Sequence, residues 1–209
     1  MNESKPDDNI VLGYFDCEQG SDEWRAIKLG TISATGIEKV LNKKTGRKTY
    51  MHRLLGERMT DTVEATFSND FMKDGIDKEP MARKAYEEKT GMEVIEIGFV
   101  KNQKWVGCSP DGLVGPDGLV EIKCPLPSTH CRYILANVLP SEYRKQVQAQ
   151  LWITGRDWCD FVSYHPDMKS QNIWIHRVLP DLEFHAEIAA GVEKFLAELS
   201  EMEKQLRDF

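Results

Sequence analysis

The sequence predicts an α/β fold in which a mixed β-sheet is flanked by helices. Helical spacing of apolar residues with polar caps dominates residues 21–91, apolar residues alternate over residues 92–124, and a helix, two strands and a long helix follow. This order of elements is typical of α/β or α+β proteins with a mixed sheet. The 209 residues contain no repeat, low-complexity stretch or linker, so we expect one domain over residues 1–209.

Four helices are predicted in the first half of the chain. Ser21 precedes two acidic residues and the segment WRAIKLG, so it is expected to cap a first helix that stops at Gly30. Thr35 and Glu38 have the spacing of a capping box and predict the start of a second helix, TGIEKVLNK. The third helix is expected over residues 49–62. The fourth is expected over residues 77–91, with a proline in its first turn.

The second half alternates between strand and helix patterns. The segments MEVIEIGFV, KWVGCS and GLVEIKC predict consecutive antiparallel strands. Residues 141–154 have helical spacing and stop at Gly155, and the segments WCDFVSYH and NIWIHRV predict two more strands. Residues 181–206 carry apolar residues at helical spacing and predict a long amphipathic helix.

The charge distribution argues against a protein that coats DNA nonspecifically. The formal net charge is −7, whereas affinity for a polyanion depends mainly on Lys and Arg. The charges are uneven, because residues 39–58 are mostly basic and residues 181–203 mostly acidic. The basic segment is either a solvated loop or a local surface that faces nucleic acid.

Cellular location and cysteine usage point to a reducing compartment. No apolar stretch reaches the ~20 residues of a membrane span, and the N-terminal segment MNESKPDDNI lacks a signal-peptide core, so we expect a cytoplasmic protein. The five cysteines are odd in number and form no CxxC pair, which argues against a disulfide framework. Cys124, His130 and Cys131 could supply three zinc ligands, but no fourth is evident nearby, and scattered thiols are favoured.

The segment SPDGLVGPDGLVEIKCP, residues 109–125, repeats Pro-Asp-Gly and predicts a hairpin. If paired positions sum to 232, Asp111 lies across from Glu121 on the same face of the ribbon, whereas a slip of one residue would turn it away. This register requires an odd-numbered loop centred on Pro116, with Gly118 in a left-handed conformation. Asp117 is then the turn residue at the tip of the hairpin.

Asp111, Glu121 and Lys123 form a candidate catalytic group. Glu121 and Lys123 are two apart on a strand and therefore face the same way. Two converging carboxylates repel one another, and oxygen ligands favour Mg²⁺ or Mn²⁺ as the compensating cation. Lys123 would add a positive charge beside a phosphate. The structural alternative is an ordinary cross-strand pair of Glu121 and Lys123 on the surface.

These three residues and the segments around them resemble the motifs of a known family. Asp111 followed by Glu121-Ile122-Lys123 resembles the PD-(D/E)XK nuclease motif, and SPDGL with EIKCP is similar to the branch that contains the lambda exonuclease and YqaJ viral recombinase family. The segments WRAIKLGTISAT, DGIDKEPMARKAYEEKTG and YRKQVQAQLWITG resemble the first motif, the acidic helix and the glutamine helix of that family. The resemblance implies a PD-(D/E)XK restriction-endonuclease-like core.

The resemblance also implies roles for individual residues. Asp111, Glu121 and the backbone carbonyl of Ile122 would bind Mg²⁺, with Mn²⁺ able to substitute, and Lys123 would position the attacking water. The remaining implied catalytic residues are Glu79, which would complete the metal site, and Gln146, which would orient water or phosphate.

A second implied site binds the 5′ phosphate of DNA. The family uses a basic residue and a hydroxyl of its first motif, together with the Ser before Pro-Asp-Gly, and the matching positions are Lys28, Thr35 and Ser109. Ser33 and Thr35 lie at a predicted helix start, which favours anion binding. The lambda enzyme has Arg and Ser where this chain has Lys28 and Thr35, so Arg25 could share the role.

The resemblance implies a Mg²⁺-dependent exonuclease that degrades the 5′-ended strand of double-stranded DNA to mononucleotides and leaves 3′ overhangs. It further implies a ring-shaped homotrimer, with basic residues inside and acidic helices outside, and a phage-type single-strand annealing protein as partner. Phe71 and Met72 are candidates for separating the terminal base pair. The alternatives are another PD-(D/E)XK nuclease, such as an endonuclease, junction resolvase or iron–sulfur exonuclease, and a noncatalytic DNA-end-binding scaffold. The cysteine arrangement argues against the iron–sulfur enzyme.

Overall fold

The protein has the predicted mixed α/β architecture in a computed structural model, which describes residues 12–42, 45–64 and 70–209. The strands are β1 (Gly13–Phe15), β2 (Ile32–Ser33), β3 (Val94–Ile95), β4 (Phe99–Gln103), β5 (Val106–Cys108), β6 (Gly112–Val114), β7 (Gly118–Lys123), β8 (Trp158–Tyr164) and β9 (Ile173–Val178). The helices are α1 (Asp22–Lys28), α2 (Ile37–Leu41), α3 (Thr45–Thr60), α4 (Asp70–Thr90), α5 (Pro127–Ala136), α6 (Ser141–Thr154) and α7 (Leu182–Arg207).

The strands divide between two mixed sheets. The first has the order β1-β4-β5-β2, in which only the β2–β5 pair is parallel. The second has the order β3-β6-β7-β8-β9, in which only the β7–β8 pair is parallel. The predicted single strand over residues 92–100 is therefore two strands, β3 and β4, which lie in different sheets.

Helix α6 lies between the two sheets. Its residues Ala149 and Ile153 belong to a core formed with the first sheet and helices α2, α3 and α7, whereas Val147 and Leu151 pack against Leu119 and the second sheet. Helix α4 covers the opposite face of the second sheet through a separate apolar cluster. Because α6 is packed on more than one side, polar residues along it are buried as well.

Several predicted helices are confirmed, and their bounds show where local patterns mislead. Ser21 caps α1 as predicted, accepting a hydrogen bond from the amide of Trp24. The predicted capping box of Thr35 and Glu38 is wrong, because the chain first makes a tight 3-10 turn over Ala34–Gly36 that is capped by Ser33. Helix α4 begins seven residues before the predicted start, so Pro80 lies inside it rather than in its first turn.

Three elements were not predicted. Strands β1 and β2 contain three and two residues, too few to show alternation. Helix α5 begins with Pro127 at its first position, which is a recognised start signal that could have revealed it.

Two arginines of the basic segment are paired with acidic residues of α7, whereas Lys39 and Lys48 are exposed, so a local surface that faces nucleic acid stays a prediction. Arg47 pairs with Glu198 of α7 at 2.5 Å, and Arg58 pairs with Glu203 at 3.9 Å. Arg58 also donates to the carbonyl oxygen of Gly30. The basic and acidic segments therefore hold α3 and α7 together, and these guanidinium groups are not available to face DNA. Lys43, Lys44 and the side chains of Phe71 and Met72 lie outside the described residues.

The five cysteines are free thiols, as expected. Both ring nitrogens of His130 are engaged, Nδ1 with Ser163 Oγ at 2.7 Å and Nε2 with the carbonyl oxygen of Gln171 at 2.8 Å, so His130 has no nitrogen free for zinc. Of the helices formed by described residues, none combines the length and apolarity needed to cross a membrane.

Candidate active site

The β6–β7 hairpin has the register that the sequence predicts. Leu113 pairs with Leu119 and Val114 with Gly118, so paired positions sum to 232 and Asp111, just before β6, lies opposite Glu121. The loop has three residues, centred on Pro116, and Asp117 is exposed at the tip. The left-handed residue is Gly115, at φ 54°, rather than Gly118, so that detail of the prediction is wrong.

Asp111 is held by the backbone of the facing strand. Its Oδ2 accepts a hydrogen bond of 2.6 Å from the amide of Ile122, beyond the last β6–β7 pair, Gly112 with Val120. Because the N–H and C=O of one strand residue point to the same side, the carbonyl of Ile122 faces Asp111 as well. Ser109, two residues earlier, is hydrogen-bonded to the carbonyl oxygen of Gly98 and to the indole of Trp24.

Glu121 is a buried carboxylate that three donors surround. It is 1% exposed, and the ammonium of Lys123 on the same face of β7 forms an ion pair with its Oε1. Gln146 Nε2 donates to the same oxygen at 2.5 Å, and Gln150 Nε2 donates to Oε2 at 2.6 Å. The surface-pair alternative for Glu121 and Lys123 is therefore wrong, because one partner lies in the interior.

Gln150 was missed by the sequence analysis. Its position could have revealed it, because residues four apart on a helix lie on the same face and Gln146 was already a candidate. Gln148, between them, points elsewhere: it donates to the carbonyl oxygen of Leu179 and accepts from the amide of Asp181, and so it holds the start of α7.

The charges in the site are strongly coupled. Burial and the neighbouring charge of Glu121 raise the pKa of Asp111 well above its ordinary value. Burial alone would lower the pKa of Lys123, but the charges of Glu121 and Asp111 outweigh burial and raise it. Lys123 is therefore a cation in this site at neutral pH, able to donate hydrogen bonds but not to accept a proton.

Glu79 reaches the site from α4. Its Oε1 pairs with Arg83 at 2.8 Å, and the guanidinium of Arg83 also contacts Glu96 at 2.8 Å and lies 3.5 Å from the carbonyl oxygen of Asp111. Burial raises the pKa of Glu79, with opposing effects from Arg83 and Lys123. The structure thus brings Glu79, Asp111, Glu121, Lys123 and Gln146 to one place, as predicted.

A second group of predicted residues lies beside the segment before Asp111. Ser109 Oγ donates to the carbonyl oxygen of Gly98 at 2.7 Å and accepts from the indole N–H of Trp24 at 2.8 Å. The ammonium of Lys28 lies 4.1 Å from the centre of the Trp24 ring, and burial lowers its pKa. Trp24, which the sequence analysis did not single out, therefore joins Lys28 to Ser109.

The other candidates for phosphate binding occupy neighbouring positions. Ser33 pairs with Gly107 across the parallel β2–β5 strands, and its hydroxyl lies 3.0 Å from that of Thr35. The 3-10 turn that carries Thr35 packs against α6. Arg25 is exposed and pairs with Asp22 at 2.8 Å, so it is not joined to Lys28 by any contact that the structure describes.

The donor set fits a hard divalent cation that is only partly enclosed by protein. No three acidic, cysteine or histidine side chains among residues 12–42, 45–64 and 70–209 form a metal cage of their own. Mg²⁺, however, commonly binds to one or two carboxylates and keeps several waters or substrate oxygens. Asp111, Glu121 and the carbonyl of Ile122 offer such a set. Burial and then the charge of Glu121 raise the pKa of Asp111, and a bound cation would offset the repulsion between these two carboxylates. Direct ligation by Glu79 stays a prediction.

Comparisons with known proteins agree with this geometry. Residues 23–157 match the model of the YqaJ-like viral recombinase domain. The alkaline exonuclease LHK-Exo from Laribacter hongkongensis is 39% identical, with a TM-score of 0.84 over 90% of this chain and 97% of that chain. The same exonuclease in complex with dAMP is 40% identical, again with a TM-score of 0.84 over 90% of this chain and 97% of that one.

More distant relatives share the fold or a part of the sequence. A phage-related exonuclease from Haemophilus somnus 129PT has a TM-score of 0.62 over 85% of this chain and 95% of that chain, at 11% identity. The uncharacterized protein R354 of Acanthamoeba polyphaga mimivirus is 27% identical over 165 residues, and the match covers 69% of this chain and 29% of that protein. The chain therefore spans under a third of this relative. The predicted nuclease core fold is confirmed. The chain belongs to the family of YqaJ-like viral recombinase domains.

Proposed function

We propose that this protein is a Mg²⁺-dependent exonuclease that degrades the 5′-ended strand of double-stranded DNA, releases 5′-mononucleotides and leaves 3′ overhangs for recombination by strand annealing. The observation that carries the proposal is the buried Glu121, which faces Asp111 across the hairpin and is paired with a cationic Lys123. The similarity to an alkaline exonuclease supports the activity, and its complex with the mononucleotide dAMP supports the product.

The residues of the site supply both a cation-binding set and a positive charge. Asp111, Glu121 and the Ile122 carbonyl would hold Mg²⁺, which lowers the pKa of bound water and polarises a phosphoryl oxygen when present. Lys123 keeps its proton, so it would hold the attacking water by donating a hydrogen bond and offset charge that develops on the phosphate. Gln146, whose amide is already at the carboxylate, would orient water or phosphate.

The segment before Asp111 supplies a site for the end of the DNA strand. Lys28, Ser109 and Thr35 would bind the 5′ phosphate, with Ser33 beside Thr35 as the cap of the 3-10 turn. Ser109 lies two residues from Asp111, so a bound terminal phosphate would set the distance from the strand end to the cleaved bond. Lys28 acts as a point charge without the two-pronged geometry of Arg.

The assembly and partners belong to the same proposal. Residues 1–209 would form one nuclease domain, which is supported by α6 contributing to the cores on both sheets. The family resemblance supports a toroidal homotrimer around double-stranded DNA and a phage-type single-strand annealing protein that receives the 3′ overhang.

The test is digestion of a blunt duplex that carries a label on either the 5′ or the 3′ terminus, with Mg²⁺, with Mn²⁺ and with EDTA. The proposal expects early release of the 5′ label as a mononucleotide, slow loss of the 3′-labelled strand and no release in EDTA. A covalently closed circular duplex should stay intact as a control.

The two alternatives give different products. Cutting of the closed circle, or internal fragments from the linear duplex, would favour another PD-(D/E)XK endonuclease. Binding of duplex ends without any nucleotide release in Mg²⁺ or Mn²⁺ would favour a noncatalytic scaffold. Release of the 3′ label first would overturn the proposed polarity while leaving the nuclease activity in place.

A further inference from the structure

Two amides on one helix divide the oxygens of Glu121 between them. Gln146 and Gln150 are four residues apart on α6, and their Nε2 atoms donate to Oε1 and Oε2 respectively. The ammonium of Lys123 also contacts Oε1. The contacts described therefore place two donors on Oε1, whereas Oε2 has the single donor Gln150.

The two amides differ in how free they are to move. Gln146 and Lys123 are partly exposed, so incoming water or phosphate can replace their contacts with Oε1. Gln150 is 1% exposed and packed within the helix between the two sheets. Its hold on Oε2 cannot be exchanged for water without opening the core.

The orientation of the Gln150 amide follows from chemistry. A carboxylate only accepts hydrogen bonds, so Nε2 must face Glu121 and Oε1 of Gln150 must face away. That buried oxygen has no hydrogen-bond donor among the residues that the structure describes. A buried acceptor without a partner is destabilising, so this residue is poorly suited to the interior except for its contact with Glu121.

We infer that Gln150 is a positioning residue that holds Oε2 of Glu121 in the interior and leaves Oε1 alone to bind a divalent cation. This inference rests on the proposed function, because it assigns a cation to the same carboxylate. Glu121 then acts as a ligand through one oxygen. Gln150 contacts neither the cation nor the DNA.

Restricting Glu121 to one oxygen selects between cations. Mg²⁺ requires near-octahedral geometry, which single-oxygen ligation fits, whereas Ca²⁺ accepts larger and irregular shells and binds carboxylates through one or both oxygens. Removing the Gln150 amide frees Oε2, so the carboxylate can rotate and present both oxygens. The change should weaken Mg²⁺ binding and spare Ca²⁺ binding.

The experiment measures cation binding by calorimetry without DNA, in the full-length protein stripped of metal, with Mg²⁺ and Ca²⁺ titrated separately. Gln150→Met keeps the length of the side chain but removes the donor. We expect its Mg²⁺ affinity to fall about 10- to 100-fold, the usual effect of losing a group that supports a metal ligand, and its Ca²⁺ affinity to fall less. Gln148→Met is the matched control, because Gln148 is equally a buried amide of α6 but has no contact with Glu121.

The outcomes separate this inference from the proposed function. If wild type and Gln150→Met bind Mg²⁺ and Ca²⁺ with the same ratio of affinities, the inference is overturned and the nuclease proposal stands. If wild type binds neither cation and releases no nucleotide, both are overturned. Should Gln150→Met not fold, as judged by circular dichroism, Gln150→Asn replaces it, because it keeps an amide on the helix but withdraws it from Oε2. The same shift in the Mg²⁺ to Ca²⁺ ratio is then expected.

Discussion

Two buried carboxylates on neighbouring strands are compensated in different ways. Glu121 on β7 is 1% exposed and Asp160 on β8 is 2% exposed, and the register places them on opposite faces of the second sheet. Asp160 accepts two hydrogen bonds of 2.8 Å from the guanidinium of Arg177 and a third of 2.8 Å from the hydroxyl of Tyr86. Among the residues that the structure describes, Lys123 is the one cation that pairs with Glu121, and a second carboxylate, Asp111, lies opposite.

The difference separates a structural carboxylate from a functional one. The negative charge of Asp160 is matched by one guanidinium in two-pronged geometry, which leaves nothing for a ligand to add. Around Glu121, by contrast, the cation Lys123 serves two acids, Glu121 and Asp111, while Arg83 is divided between Glu79 and Glu96. The excess negative charge is what a bound divalent cation would neutralise.

The largest expected effect comes from removing the ammonium of Lys123, which pairs with the functional carboxylate Glu121. Lys123→Ala should lower nucleotide release by about 10²–10³-fold, because a preorganised positive donor at the phosphate is lost. DNA-end binding should be retained, since the candidate phosphate residues Lys28 and Ser109 are unchanged. Single-turnover release and filter binding measure the two quantities separately.

Lys84→Ala is the matched control for this variant, because Lys84 is an exposed lysine of α4 whose one ion pair with a described residue is with Glu88, at 3.9 Å. It should release nucleotides at the wild-type rate. Equal turnover by Lys123→Ala and Lys84→Ala would remove Lys123 from the mechanism.

Removing the guanidinium of Arg177, which pairs with the structural carboxylate Asp160, should affect folding instead. Arg177→Met leaves the charge of Asp160 buried, with the hydroxyl of Tyr86 as its remaining described donor. It should lower the free energy of unfolding by roughly 2–4 kcal/mol. The loss is smaller than for a fully buried pair, because the Arg177 side chain is 48% exposed and water can take part of its place. Urea denaturation measures the loss. Turnover per folded molecule should be unchanged, and a variant that folds normally but fails to release nucleotides would contradict the division between the two carboxylates.

The hairpin could be predicted from sequence because its constraints are local. Spacing and turn chemistry gave the register that faces Asp111 toward Glu121, and alternation put Lys123 on the same face. The prediction that Gly118 takes the positive φ was wrong, because Gly115 takes it instead. A glycine stands at both ends of the loop, and the choice between them depends on how the two strands enter and leave it.

The surroundings of the hairpin could not be predicted, because they depend on contacts between distant segments. Gln150 meets Glu121 only because α6 is inserted between two sheets, and Trp24 meets Ser109 across 85 positions of the chain. The pairing of Arg47 with Glu198 likewise spans 151 positions, so the sequence could not show that this basic residue contacts an acidic helix. Charge runs in a sequence do not show which partner they face.

The smallest expected effect comes from changing Asp to Asn at Asp111 and at Asp160, which compares the two kinds of carboxylate directly. Asp111→Asn removes a charge that burial and Glu121 oppose, and its amide oxygen can still accept from Ile122, so the cation-free protein should gain roughly 0.5–2 kcal/mol of stability at pH 8. Asp160→Asn removes a charge that Arg177 stabilises, so it should lose stability.

The dependence of this gain on pH provides its own check. A carboxyl whose pKa is raised on folding binds protons more tightly in the native state, so its stabilising contribution is fully present below the unfolded pKa of about 4 and is lost as the pH rises through the folded value. Wild type and Asp111→Asn should therefore have similar stability near pH 4 and diverge above it, in urea denaturation with EDTA. If Asp111→Asn instead lost stability at pH 8, neighbouring groups would compensate the charge of Asp111 as Arg177 compensates that of Asp160. The contrast between the functional and the structural carboxylate would then fail.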